Sequence, residues 1–285
     1  MKAQLIDGKR ISAEIKAEAA EEAAALKAKG ITPCLAVVLV GDDSASQVYV
    51  NNKKKACEAV GIRSVSHVLS GETTEEALLE LIAKLNADKD IHGILVQMPV
   101  PKQIDERKVI LAIDPKKDVD CFHPVNVGNL HTGGEGFLPC TPAGIIELIK
   151  RSGHSIEGKQ CVVIGRSNIV GKPVAMLLMQ ENGTVTICHS RTRNLAEICR
   201  GADIIVSAVG KVNTVTADMV KEGAILIDVG MNRNEAGKLC GDVDFENVKE
   251  IAGAITPVPG GVGPMTIAML MKNCNIAAKI QNGLE

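Results

Sequence analysis

The chain has 285 residues, enough for two domains, and its 46% hydrophobic and 23% charged residues are typical of a protein that buries a core. A formal net charge of −2 argues against nucleic acid or an anionic membrane surface as the main partner. The longest clear apolar run, residues 35–40, is too short to cross a bilayer, and the N-terminus lacks the apolar core of a signal peptide. We therefore expect a soluble cytoplasmic protein.

The nine cysteines do not follow the spacing of a disulfide framework or a zinc site. The closest pair is Cys188 and Cys199, and the sequence contains no Cys-x-x-Cys. The count is odd, and Cys34 and Cys161 lie within apolar runs. We expect reduced, buried thiols and no bound metal.

Helices and strands alternate along the first third of the chain. An Ala-, Glu- and Lys-rich segment that ends at Gly30 predicts a helix, and a continuous apolar run predicts a strand buried on both faces. This alternation predicts βαβ units and a parallel sheet. The predicted elements are helix 10–29, strand 34–40, helix 44–60 closing on Gly61, strand 65–69, helix 74–86 and strand 91–97.

Residues 99–142 interrupt the alternation because they are rich in proline and glycine. They are either a domain linker or a long functional loop. A second alternating unit follows, beginning with a helix after Pro142. Its predicted elements are strand 160–164, helix 170–179, strands 184–188, 203–206 and 224–228, a glycine-rich run at 257–264, and a last apolar helix at 265–280.

A candidate nucleotide site lies where strand 160–164 runs into Gly165 and a helix. A glycine turn at a helix N-terminus offers backbone N–H groups and the positive helix end to a phosphate. The spacing to Gly171 departs from the G-x-G-x-x-G fingerprint, so a tight turn without function is the alternative. The next strand ends in Ser190 and Arg191, where NAD enzymes commonly carry an acidic residue. A cation and a hydroxyl suit a 2′-phosphate, which favours NADP over NAD.

A second candidate site lies in the first unit. Tyr49 and Lys53 are four residues apart on a predicted helix and share one face. Gln97 ends a predicted strand, at the edge where open α/β sheets bind ligands. Asp120 follows Asp118 in a turn-like segment. The alternatives are a solvated lysine run, a core tyrosine, simple strand termination and turn capping.

Taken together, these segments resemble the bifunctional methylenetetrahydrofolate dehydrogenase/methenyltetrahydrofolate cyclohydrolases. The matching blocks occur in order across nearly the whole chain. One departure is Cys121, where most members are expected to have glycine. The blocks are YVNNKKKA (49–56), GILVQMPVP (93–101), KDVDCFHPVNVG (117–128), PCTPAG (139–144), VIGRSNIVGKPVA (163–175), CHSRT (188–192), GAILIDVG (223–230) and ITPVPGGVGPMT (255–266).

The resemblance implies oxidation of 5,10-methylenetetrahydrofolate with NADP⁺ to the 5,10-methenyl cation, followed by hydrolysis to 10-formyltetrahydrofolate. It implies that Lys53 is the acid/base group, Gln97 its hydrogen-bonding partner, Asp120 the residue that holds the pterin ring and Tyr49 a stacking surface. Val96 and Met98 are then expected beside the folate. The residues implied to line the rest of the folate site are Pro259, Gly260, Gly261, Pro264 and Thr266. Those implied to line NADP are Gly165, Arg166, Ser167, Ser190, Arg191 and Met231.

The implied fold is α/β with two domains and a cleft between them. An N-terminal αβα parallel-sheet domain is predicted at 1–139, completed by the C-terminal helix 266–285. A Rossmann-like NADP-binding domain is predicted at 140–265. The resemblance also implies a homodimer.

Three other functions compete with this interpretation. The first is a dehydrogenase of the same family that lacks hydrolysis, which the presence of Lys53, Gln97 and Asp120 argues against. The second is a shikimate or amino-acid dehydrogenase of the same two-domain plan, which would not require the block around Asp120. The third is a catalytically silent Rossmann-like module, which substitution of Lys53 or of the Gly165 turn would have supported.

Overall fold

The computed structural model describes residues 3–284. These residues form two compact units, and the division between them falls within the first and last long helices. One unit contains Glu14–Cys140 and the chain from Ile267 onward, and the other contains Thr141–Thr266 together with the described residues up to Ala13.

The first of these units is built on a three-stranded parallel sheet. Its strands are β2 (Cys34–Val40), β3 (Arg63–Leu69) and β4 (Gly93–Val96), in the order β3-β2-β4. The helices are α1 (Gly8–Ala28), α2 (Ser44–Val60) and α3 (Glu75–Ala87), with α1 beginning in the other unit. Every residue of β2 is buried, as the apolar run predicts, and α2 ends at Gly61 in the left-handed conformation.

The proline-rich region 99–142 is neither a simple linker nor a structureless loop. It contains α4 (Glu106–Ala112) and α5 (Pro124–Thr132), and the next helix, α6 (Cys140–Arg151), begins within it. Both α4 and α5 are too short for periodicity to reveal, and Pro124 occupies the first turn of α5, where its missing N–H costs nothing. Between them, the Lys117 carbonyl accepts from the Ile94 N–H at 2.8 Å, so this segment runs beside β4.

The second unit is built on a six-stranded parallel sheet and a short antiparallel hairpin. The strands are β1 (Gln4–Leu5), β5 (Gln160–Ile164), β6 (Thr184–Cys188), β7 (Ile204–Ser207), β8 (Ile225–Asp228), β9 (Asn232–Arg233), β10 (Leu239–Cys240) and β11 (Ala254–Ile255). The sheet has the order β1-β11-β8-β7-β5-β6, and the hairpin, β9–β10, follows β8. The helices are α6, α7 (Gly171–Gln180), α8 (Leu195–Arg200), a 3₁₀ turn (Ala217–Met219), α9 (Phe245–Val248) and α10 (Val262–Gln281), which continues into the first unit.

The first described residues lie in a different unit from the one predicted from the sequence. Strand β1 pairs with β11 at the edge of the six-stranded sheet, whereas the predicted division placed residues 1–139 together. A two-residue strand has no measurable periodicity, and its pairing partner lies at the far end of the sequence. Local pattern therefore could not reveal this pairing.

Two absences can be stated for residues 3–284. None of their helices combines the length and the apolar composition needed to cross a membrane. Within this same stretch, no group of three or more His, Cys, Asp or Glu side chains is arranged to hold a metal ion.

Candidate active site

Lys53 and Gln97 meet at the point where the three-stranded sheet reverses its order. The chain leaves the central strand β2 through α2 to reach β3 on one side, and returns through α3 to β4 on the other. The ends of β2 and β4 therefore border the switch point at which such sheets bind ligands. Lys53 lies on α2 and Gln97 directly follows β4, and the Lys53 Nζ donates to the Gln97 Oε1 at 2.9 Å.

The hydrogen bonds of Gln97 fix its side-chain orientation. Its Nε2 donates to the Met98 carbonyl at 2.8 Å, so its Oε1 is the atom that faces Lys53. Lys53 is only 9% exposed, whereas Lys54 and Lys55 are both exposed. The solvated-run alternative therefore holds for the neighbours of Lys53 and is wrong for Lys53 itself.

Asp120 belongs to the same cluster. Burial raises the pKa of the Asp120 carboxyl, and the positive charge of Lys53 opposes that increase. The Cys140 thiol lies 3.9 Å from the Asp120 Oδ1 as a weak donor. The structure thus brings Lys53, Gln97 and Asp120 together, with Val96 buried in β4 and Met98 partly buried beside Gln97.

Asp118 has a different role from Asp120. Its Oδ2 accepts from the His123 N–H and from the Asn126 side-chain amide, both at 2.8 Å, and the residue is 3% exposed. Asp118 is therefore the turn-stabilising carboxylate that the alternative interpretation anticipated, and Asp120 is not part of that turn network. Tyr49 lies on α2 one turn before Lys53 and is 38% exposed.

The departure at Cys121 has a conformational explanation. The residue has φ 62°, in the left-handed region that glycine adopts without strain, which accounts for the glycine expected there. Cys121 is 1% exposed, and its thiol donates to the Phe137 carbonyl at 3.2 Å. The nine cysteines are all free, in agreement with the expectation of reduced thiols.

The Gly165 turn leads into the N-terminus of α7 and leaves no room for a side chain at Gly165. Gly165 has φ 127°, and a Cβ there would lie 2.4 Å from the Ala208 carbonyl oxygen. The Ser167 Oγ accepts from the Val170 and Gly171 N–H groups at 3.2 Å each, which organises the N-terminus of α7. Arg166 and Ser167 are exposed in this turn. An exposed cation and a helix N-terminus fit an anionic phosphate group.

Ser190 and Arg191 lie beside that turn. Ile164 pairs with Cys188 in the sheet, and the Gly165 N–H donates to the Cys188 carbonyl at 2.8 Å. The two strands thus end side by side, and Ser190 and Arg191 are exposed just beyond. Met231 follows β8, at the carboxyl ends of the strands of the same sheet, and is 57% exposed.

The glycine-rich run leads into the first turns of α10 and is tightly packed within its own unit. A Cβ on Gly261 would lie 2.7 Å from the Pro257 carbonyl oxygen, and Gly260 has φ 108°. The Thr266 hydroxyl lies 2.8 Å from that of Thr141. Pro259 and Pro264 belong to this same segment, so the implied folate-lining residues Pro259 to Thr266 form one ordered stretch of the second unit.

The second unit contains a buried carboxylate pair that was not predicted from the sequence. Asp228 ends β8 at 3% exposure, and Asp242 follows β10 at 0% exposure. Asp228 was visible as an acidic residue ending an apolar strand, which is a signal that strand prediction alone passes over. Nothing in the local sequence indicates that Asp242 is buried.

Two parallel-sheet units, one with a glycine turn at a helix N-terminus and the other with a buried lysine at its switch point, are features found in nucleotide-binding α/β proteins. Comparison with known proteins makes this class specific. The model described as tetrahydrofolate dehydrogenase/cyclohydrolase, catalytic domain, matches residues 6–120. The corresponding NAD(P)-binding domain model matches residues 139–282. The chain belongs to the tetrahydrofolate dehydrogenase/cyclohydrolase family.

Individual relatives agree over the full length. The bifunctional protein FolD of Agathobacter rectalis is 62% identical over 277 residues, which cover 97% of this chain and 99% of that protein. The crystal structure of the bifunctional enzyme FolD from Campylobacter jejuni has a TM-score of 0.95 at 53% identity, covering 98% of this chain and 99% of that one. The FolD of Trypanosoma brucei, complexed with NADP and an inhibitor, has a TM-score of 0.92 at 42% identity, covering 98% of each chain.

Proposed function

We propose that this chain carries out both reactions of its family. It oxidises 5,10-methylenetetrahydrofolate to 5,10-methenyltetrahydrofolate with NADP⁺ and hydrolyses the product to 10-formyltetrahydrofolate. The observation that carries the proposal is the part-buried Lys53–Gln97 hydrogen bond at a switch point, with Asp120 in the same cluster. The family membership and the Gly165 turn supply the dehydrogenase half.

The hydride step requires little acid/base chemistry from the protein. NADP⁺ supplies the hydride acceptor, and removal of hydride leaves a delocalised cation on the folate. The protein's contribution to this step is to bind and orient the folate, the role proposed for Tyr49, Asp120 and the segment from Pro259 to Thr266.

The hydrolytic step needs a group that takes a proton from the attacking water. Lys53 is proposed for this role because it is nearly buried and held by Gln97 rather than by a carboxylate within hydrogen-bond distance. A neutral amine can accept the proton, whereas a charged one repels the methenyl cation. Gln97 keeps the amine in one orientation, since its own amide is fixed by the Met98 carbonyl.

The preference for NADP over NAD is proposed to depend on cations beside the Gly165 turn. Arg166, Ser190 and Arg191 are exposed at the ends of two adjacent strands. A guanidinium forms a charge-assisted pair with a 2′-phosphate, which NAD lacks. Met231 is proposed to line the cofactor on the opposite side of the turn.

The proposal also covers the cellular location and the oligomeric state of the protein. The fully free cysteines suit a reducing compartment, so we propose a cytoplasmic location. We also propose a homodimer, which light scattering coupled to gel filtration would test. A mass equal to one 30.0 kDa chain would contradict the dimer.

An assay with methylenetetrahydrofolate and each dinucleotide tests the function. NADPH formation and the absorbance of the methenyl chromophore are followed together. The proposal requires NADPH to accumulate while methenyltetrahydrofolate stays low, because hydrolysis removes it. Accumulation of methenyltetrahydrofolate at the rate of NADPH would identify a dehydrogenase without hydrolysis, and no reduction of either dinucleotide would identify a silent module.

A further inference from the structure

Asp228 and Asp242 are buried side by side at the carboxyl end of the internal strand β8, and the two reactions give neither of them a role. Asp228 is the last residue of β8, and Asp242 follows the β9–β10 hairpin. They are 3% and 0% exposed. A buried carboxylate without hydrogen-bond partners is strongly destabilising, so each of these two must accept hydrogen bonds from several donors.

Asp242 receives five hydrogen bonds. Its Oδ2 accepts from the Ser207 hydroxyl at 3.1 Å, the Val209 N–H at 2.8 Å and the Gly210 N–H at 3.3 Å. Its Oδ1 accepts from the Lys211 N–H at 3.0 Å and the Asn232 side-chain amide at 2.9 Å. Three consecutive backbone amides thus wrap around one carboxylate, so the loop 208–211 takes its shape from Asp242.

Asp228 holds Asp242 and the segment after β8. Its Oδ1 accepts from the Gly230 and Asp242 N–H groups, and its Oδ2 accepts from the Val243 N–H, all at 2.9 Å. Glycines allow this close approach, since a Cβ on Gly230 would lie 2.2 Å from the Asp242 Oδ1. A Cβ on Gly241 would lie 1.9 Å from the Asp228 Oδ2.

The segments held in this way border the proposed cofactor site. Strand β7 lies next to β5 on the side away from β6, and the Ala208 carbonyl lies against Gly165. With the 2′-phosphate placed beside β6, the other half of a dinucleotide extends over the ends of β7 and β8. Val209, Val212 and Met231 are 39%, 36% and 57% exposed on the segments that Asp242 anchors, which provides apolar surface for a flat ring.

We propose that Asp242, held by Asp228, is a positioning residue that shapes the nicotinamide half of the NADP site. It acts through the loop 208–211 and through Asn232, next to Met231, without touching the cofactor itself. This inference rests on the proposed NADP-dependent function and adds to it the residue that fixes the nicotinamide side.

The test compares binding of NADP⁺ with binding of 2′,5′-ADP, which contains only the phosphorylated adenosine half. Asp242→Asn keeps the shape of the side chain but turns one acceptor into a donor that faces other donors. Titration calorimetry should give an NADP⁺ dissociation constant raised about tenfold or more, with that of 2′,5′-ADP changed less than about twofold. Asp218→Asn is the matched control, since Asp218 is exposed in the same unit, and both constants should stay at wild-type values.

Hydrogen exchange of the ligand-free protein gives a second readout. The amides of Val209, Gly210 and Lys211 should exchange faster in Asp242→Asn, while those of β5 stay protected. Ser207→Ala removes a single hydrogen bond to Asp242. This variant tests the role of Asp242 if Asp242→Asn does not fold. It should weaken NADP⁺ binding about two- to fivefold, again sparing 2′,5′-ADP.

Three results would overturn the inference. They are a folded Asp242→Asn with wild-type NADP⁺ affinity, equal weakening of both ligands, and, where only Ser207→Ala folds, unchanged exchange and affinity in that variant. If the wild-type protein bound neither 2′,5′-ADP nor NADP⁺, that result would instead refute the proposed function. The two failures are therefore distinguishable.

Discussion

Lys53, Lys54 and Lys55 are adjacent in the chain but lie in different surroundings. Only Lys53 is buried, one turn after Tyr49 on α2, whereas Lys54 and Lys55 are exposed. The match to the family block YVNNKKKA, together with the four-residue spacing from Tyr49, singled out Lys53, but its bond to Gln97 required the pairing of β2 with β4. That pairing joins residues far apart in sequence, which composition cannot supply.

The burial of Asp242, in contrast, could not be predicted from the sequence. It sits in a polar segment, Gly241-Asp242-Val243-Asp244, that is typical of an exposed turn. Its buried carboxylate accepts from backbone amides of the loop after β7, more than thirty residues earlier in the chain. No local pattern distinguishes Asp242 from Asp244.

Removal of the Arg191 guanidinium tests cofactor preference. Arg191→Ala should raise the KM for NADP⁺ about tenfold or more, with less effect on NAD⁺, because only NADP carries the 2′-phosphate. Initial rates with each dinucleotide measure the change. Lys238→Ala removes a positive charge elsewhere in the same unit and should leave the ratio unchanged. Equal effects of Arg191→Ala on both dinucleotides would show that this loop does not read the phosphate.

At the scale of elements, strands and long helices were predictable because their apolar residues form continuous runs or repeat with a regular period. The strands 34–40, 160–164 and 184–188 were predicted with the bounds that the structure gives, as was the helix at 44–60. Among the missed elements, β1, β11 and α9 span two to four residues, and α4, α5 and α8 span six to nine. Such short segments are held by tertiary pairing and carry too few residues for a pattern.

The Gly165 turn joins β5 to α7 and depends on the absence of a side chain. Gly165→Ala would place a Cβ 2.4 Å from the Ala208 carbonyl at φ 127°, so the turn must shift. We expect a loss of about 1–3 kcal/mol in the free energy of unfolding and weaker NADP⁺ binding. Urea denaturation and calorimetry measure the two effects.

Gly128→Ala is the matched control for that substitution. Gly128 lies within α5, and a Cβ there would meet nothing within 4 Å. Alanine should stabilise this helix by up to about 1 kcal/mol. If Gly165→Ala were as stable as Gly128→Ala and bound NADP⁺ normally, the turn would not be the phosphate site.

The free energy of unfolding of the whole protein should depend on pH through the protonation of Asp228. Burial raises the pKa of the Asp228 carboxyl to about 6, despite three backbone N–H donors that favour its charged form. The folded state therefore binds this proton more tightly than the unfolded chain does, where the ordinary value is 3.8. The stabilisation is fully present below the unfolded pKa and is lost as the pH rises through the folded one.

Comparison of wild type with Asp228→Asn isolates that contribution. The difference in free energy of unfolding between the two proteins should shrink by about 2 kcal/mol between about pH 4 and about pH 6.5. Urea denaturation at a series of pH values measures it. A difference that stays constant or grows with pH would show that the carboxyl is charged throughout this range.

The central claim is that one chain performs an oxidation and a hydrolysis that can be separated at Lys53. The measurement is the rate of hydrolysis of methenyltetrahydrofolate by Lys53→Met, with Lys54→Met as the exposed control one residue away. Methionine keeps much of the apolar stem and removes the amine. Hydrolysis should fall by about 10²–10⁴ in Lys53→Met, while the dehydrogenase rate falls less and methenyltetrahydrofolate accumulates. Lys54→Met should behave as wild type, and wild-type hydrolysis by Lys53→Met would contradict the account.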